Sequence, residues 1–166
     1  MEMVGAGGAM LSVVRGDREL AERIRERMQG AGADPLVHGA AACAPQRVVA
    51  WGYGIAHFRD ATLGHHVEHC AFALGTQGLS FVADDHGAPL AWVPFAGCYH
   101  FDVGQDADGR WEILYDLLGP AGPDRALGFT VVETYGGLSP EACARYFASS
   151  VREEWLTGAR HRAGRS

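Results

Sequence analysis

Between Leu63 and Phe81 the chain reads LGHHVEHCAFALGTQGLSF, so that His65, His66, Glu68, His69 and Cys70 fall within six consecutive positions. These are side chains that ligate zinc or shuttle protons. Zinc requires three or four of them to converge at about 2.0–2.3 Å. The helical HExxH arrangement is absent, and the residues after Cys70 alternate as a strand does. On a strand, successive side chains point to opposite faces. His66, Glu68 and Cys70 then share one face, with His65 and His69 on the other. Same-face neighbours on a strand spread along it instead of meeting around one ion, so no metal site is expected. Cys70 should begin a core, with the histidines lining its mouth.

Other constellations are weaker. Asp60 could orient His65 or His66 as a base. No nucleophile sits beside them, however, and the strained Gly-x-Ser-x-Gly elbow is missing. Asp84–Gly87, DDHG, is explained by turn chemistry. Asp102, Asp106 and Asp108 lack the spacing of a calcium loop, and the glycine-rich GAGGA near the start lacks the lysine of a phosphate loop. No catalytic residue and no cofactor are expected. The aromatics suggest one further possibility, a ligand pocket lined by Trp51, Tyr53, His66 and Trp111.

The elements that would position these residues are short strands. With 166 residues, 48% of them hydrophobic and 20% charged, the chain reads as a single globular domain. Fourteen basic residues, all arginine, face 20 acidic ones for a net charge of -6. That balance argues against a nucleic-acid groove and against an anionic lipid surface. No run approaches the length of a membrane span, and the opening MEMVGAGGAMLSVV lacks the early positive charge of a signal peptide. Cys43, Cys70, Cys98 and Cys143 form no paired framework and read as separate buried thiols. A cytoplasmic location is expected.

Asp17 to Met28 carries Leu20, Ile24 and Met28 every fourth residue, an amphipathic helix with a narrow apolar stripe. Glycines and Pro35 end it. Seven strand-like segments follow. They begin at Arg47–Phe58, where Trp51, Tyr53 and Ile55 share one parity, and Val67–Leu74, and end with the segment through Glu133. Ser139, Pro140 and Glu141 then open a second helix, with Cys143, Phe147 and Val151 on its apolar stripe. Three regions result: an N-terminal helical extension and connector over residues 1–46, a β-barrel domain with its C-terminal helix over 47–156, and a flexible tail over 157–166. No helical crossover separates the strands, which excludes a doubly wound parallel sheet. The expected fold is mainly β: a seven-stranded antiparallel barrel capped by the C-terminal helix, with an extra N-terminal helix.

The order of elements, together with CAFALGTQGLSFVADDHGAPLAWVPFAGCYHFDV, resembles the PH-like fold and in particular bacterial PH and GRAM-like domains. Phe72–Thr76, Leu79–Val82 and Trp92–Pro94 occupy the positions of that group's strand-end patterns, and the resemblance spans about residues 47–155. It implies the barrel. Phosphoinositide binding does not carry over, because the loop FRDATLGHH replaces the lysine-rich cradle and holds Arg59 as its one cation.

Two functional readings follow. The first is a non-catalytic protein-binding or assembly domain, self-associating as a homodimer, with the stripe of the first helix packed on its own barrel or on a twin's. The second is a small β-barrel enzyme or ligand-binding protein acting on a hydrophobic metabolite. A pocket of at least about 300 Å³ reached by several polar groups would favour the second, and a sealed apolar interior the first.

Overall fold

The computed structural model describes residues 13–15, 18–30, 46–60, 64–82, 89–117 and 124–163. Cys43 and Asp84–Gly87 lie outside them. In chain order the elements are β1 (Val13–Arg15), α1 (Arg18–Gln29), β2 (Val48–Asp60), β3 (Gly64–Gly75), β4 (Gly78–Val82), β5 (Pro89–Pro94), a 3₁₀ turn (Phe95–Gly97), β6 (Cys98–Gln105), β7 (Trp111–Leu117), β8 (Asp124–Gly136) and α2 (Pro140–Ala163).

Seven antiparallel strands form one sheet in the order β5-β4-β3-β2-β8-β7-β6. The first long strand, β2, thus lies beside the last, β8, so the meander closes back on its own beginning and the sheet curls into a half-barrel. Their pairing runs from Trp51 opposite Gly136 to Asp60 opposite Asp124 and shifts register three times. Bulges of this kind increase the local twist that curls a sheet. The edge strand β5 ends at Pro94, where a missing N–H costs nothing.

Two aspects go beyond the sequence reading. The three-residue β1 pairs parallel to β3, with Val13 opposite His66 and Arg15 opposite Glu68. It extends β3 where β4, which faces Ala71–Leu74, has stopped. The second helix also runs to Ala163, through most of the stretch expected to fray.

The alternation in AWGYGIAHF explains why the concave face can be filled so completely. Ala50, Ala56 and Phe58 of β2 belong to the concave core, and Gly52 and Gly54 share their parity. A Cβ at Gly54 would overlap the Phe129 ring, and one at Gly52 would come within 2.9 Å of Phe72. The glycines therefore let large rings lie directly on the sheet. Phe129 packs against Phe72 at 5.1 Å and against Phe81 at 4.7 Å, centroid to centroid. From α2, Phe147 enters between Phe95 and Tyr115 at 5.5 and 6.0 Å. All five phenylalanines are fully buried, with Cys143 and Val151 beside them.

A second, smaller core lies on the convex face. There α1 buries Ile24 and Met28 against Tyr53, Ala71, Ala73 and Val82, with Leu20, Trp51 and Tyr135 at the margin. The apolar stripe of the first helix is covered by the sheet of its own chain.

Candidate functional site

The register of β3 divides HHVEHC between two faces, as strand parity requires. His66 and Cys70 are fully buried on the concave side. There His66 stacks on Phe58 with centroids 5.5 Å apart. On the convex side His65 stacks on His57 at 5.6 Å, and His69 stacks on Tyr53 at 5.8 Å. His65 and His69 are four residues apart, as ligands on a helix would be, but a strand extends that interval along its length. Among the described residues, no three or more His, Cys, Asp or Glu side chains are placed to hold a metal ion.

The convex histidines are held neutral. The Tyr53 hydroxyl lies 2.5 Å from His69 Nδ1, and His57 Nε2 lies 2.9 Å from Thr130 Oγ1. Burial, then His65, pulls the His57 pKa down to about 4, with Asp106 opposing. Burial also lowers His65, helped by His66 and Arg59. His69 is lowered by burial and by Arg110, against Glu22. Tyr53 is pushed up to about 12, by burial first and then by Cys70 and Glu22. A protonated phenol beside a neutral imidazole makes a structural hydrogen bond. An imidazole with a pKa near 4 is a poor base at neutral pH.

The concave thiols are similarly quiet. Burial pushes Cys98 and Cys143 to about 12 and Cys70 higher still. The Cys98 Sγ lies 3.5 Å from the Pro94 carbonyl and the Cys143 Sγ 3.8 Å from that of Leu138. Since the thiolate is the nucleophile, these three free cysteines serve as packing groups.

The four residues expected to line a pocket do not meet. Trp51 and Tyr53 belong to the convex cluster under α1, His66 is buried on the opposite face, and Trp111 stands at the start of β7. Trp111 borders a pocket. That pocket is an open groove of about 340 Å³, formed by the β6–β7 turn at Gly109 and Arg110, by β8 at Val131, and by the start of α2 at Ser139 and Glu141. Ser139 Oγ caps the helix by accepting the Ala142 N–H at 3.2 Å. Arg145 bonds Glu141 at 2.9 Å and lies over the Trp111 ring, 5.7 Å from its centroid. Ser139 and Glu141 are legible as a helix start, but nothing local says that a turn thirty residues earlier folds beside them. The Asp60 side chain lies outside the described side chains. His100 finds its acid in Asp116, 3.6 Å away on an exposed surface.

Among the described residues, large apolar side chains are exposed at four places: Tyr99 (51%), Leu114 (42%), Trp155 (41%) and Leu156 (50%). Tyr99, Trp155 and Leu156 gather where α2 crosses the beginning of β6. The Trp155 indole N–H donates to the Cys98 carbonyl at 2.8 Å, and its ring packs on Phe101 at 5.3 Å. No described helix is long and apolar enough to cross a membrane.

No protein-family model matches this chain, and no curated protein matches it either.

Proposed function

We propose that this chain is a non-catalytic assembly module, a half-barrel of PH-like type that acts through protein contacts and self-associates. The observation that carries this reading is the filling of the concave face. Phe72, Phe81, Phe95, Phe129 and Phe147 are fully buried there, filling the space in which a ligand-binding barrel would keep a cavity. Burial keeps the Cys98 and Cys143 thiols beside them protonated, and His57 on the convex face is held neutral. Exposed apolar surface gathers instead at the rim, on β6 and the end of α2. The pairing of the first barrel strand with the last, and the helix after it, are in keeping with the PH-like resemblance. Three free, buried cysteines suit a reducing cytoplasm.

Light scattering of the full chain at micromolar concentration tests the reading. A two-chain mass is expected, and a monomer at every concentration would overturn it.

One observation favours a second reading. The groove beside Trp111 has about the volume of a small-ligand site, and Arg110, Ser139 and Glu141 bring polar groups to it. If it takes a hydrophobic metabolite, anilinonaphthalene sulfonate should bind the folded chain with one saturable site, and Trp111→Ala should abolish that site.

A further inference from the structure

We propose that the groove beside Trp111 binds a small apolar molecule carrying one negative charge, with its anionic end held by Arg110 and its body laid against Trp111, Val132 and Pro140. This rests on the second reading above, the groove as a ligand site, and adds the charge of the ligand. It does not depend on self-association.

The ionic side chains of the lining decide the sign. They are Arg110 and Glu141. Glu141 is neutralised from within α2, because Arg145 Nη2 and Nε both donate to its Oε1, at 2.9 and 3.2 Å. Arg110 has no such partner. Among the described residues Arg23, Arg25 and Arg145 each pair with a glutamate one turn away, and no acid forms an ion pair with Arg110. Asp106 shares its turn, but Asp106 Oδ1 accepts the backbone N–H groups of Asp108 and Arg110, both at 2.9 Å. The charge of Asp106 bears on His57 and Glu112. That of Arg110 reaches His69, whose pKa is lowered by burial and then by this guanidinium. The lining therefore carries one net positive charge. A cationic ligand would meet Arg110 and find Glu141 already paired, and a neutral one would gain nothing from Arg110.

The walls set the rest of the ligand. Trp111, Val132 and Pro140 are half-buried, and Arg145 lies over the Trp111 ring at 5.7 Å from its centroid, which braces it. Ser139 Oγ accepts the Ala142 N–H, and its own proton remains for an acceptor on the ligand. At about 340 Å³ the space is at the small end of ligand sites. Apolar walls with a few polar groups placed among them are the usual composition of such a site. Both sides are also fixed in advance. The turn is closed by the Asp106 N–H on the Arg110 carbonyl at 2.8 Å and the Gly109 N–H on the Asp106 carbonyl at 3.0 Å, and the helix start is capped by Ser139. Pre-formed walls reduce the ordering cost of binding. The turn is held by backbone groups and Asp106, so the Arg110 side chain can be replaced without unfolding it.

Two dyes separate the charge from the apolar body: anilinonaphthalene sulfonate, an anion, and phenylnaphthylamine, the same skeleton without the sulfonate. Fluorescence titrations of the full chain should show one saturable site for the sulfonate. Arg110→Gln should weaken it about tenfold or more, the size of one hydrogen bond to a charged group, with an unchanged melting temperature. Arg110→Lys should restore part of the affinity, since it keeps the charge but not the planar fork. Added salt should weaken the sulfonate and not phenylnaphthylamine, whose affinity should ignore both Arg110 variants. Sulfonate binding that Trp111→Ala abolishes and Arg110→Gln leaves unchanged would overturn the anion proposal and leave the groove standing as a ligand site. An equal loss for both dyes in Arg110→Gln would do the same. Binding that Trp111→Ala does not disturb, or no saturable binding of either dye, would overturn both.

Discussion

At position 54 of β2 a side chain has no room, because the Phe129 ring occupies the place of its Cβ. Gly54→Val should overpack the concave core and lower stability by about 1–3 kcal/mol, measured as a lower urea midpoint. An unchanged midpoint would mean that Phe129 does not lie on the sheet. Phe147 is the opposite case. Removing its ring leaves a cavity between Phe95 and Tyr115, so Phe147→Ala should cost about 3–5 kcal/mol, and a loss below about 0.5 kcal/mol would show that α2 does not plug the barrel. His57 gives a pH dependence. Its pKa in the fold, about 4, lies below the 6.5 of a free imidazole. Between those values the unfolded chain binds a proton that the folded chain refuses, so stability is full above pH 6.5 and falls as pH drops toward 4. His65 and His69 are shifted in the same direction. Urea midpoints should fall between pH 7 and 5, and His57→Gln should flatten that slope; identical slopes in variant and wild type would contradict the buried, neutral imidazole.

Each secondary-structure element was legible in the sequence to a different degree. The seven antiparallel strands, the two amphipathic helices and the split of HHVEHC across β3 follow from periodicity, because burial on one face imposes it. Parity alone could not say which face of β2 turns inward. Trp51 and Tyr53 look like a core set in the sequence, yet they lie under α1, since only glycine at 52 and 54 leaves space for the concave phenylalanines. β1 was hidden because three residues are too few to show a period, and its partner lies fifty residues on. The groove was hidden because its walls come from a turn, a strand and a helix start that only the closed sheet assembles. The role of α1 is testable directly. Deleting residues 1–30 uncovers Tyr53 and removes Ile24 and Met28, each worth about 1.5–3 kcal/mol on burial. The shortened chain should melt well below the full one, and an equal melting temperature would make α1 dispensable.

Across the whole molecule, the fold uses one sheet twice. Its concave face is sealed by phenylalanine and α2, and its convex face is covered in part by α1. Among the described residues the rim stays uncovered: the β6 edge, the exposed end of α2 and the groove beside Trp111. The chemistry of the buried groups agrees with that division, because the described cysteines are kept as thiols and His57 is kept neutral. Self-association through the rim is therefore the central claim, and the mass of the full chain in solution tests it most directly. Sedimentation equilibrium at micromolar concentration should return twice the 17.8 kDa of one chain; a mass of 17.8 kDa that does not rise with concentration would contradict it.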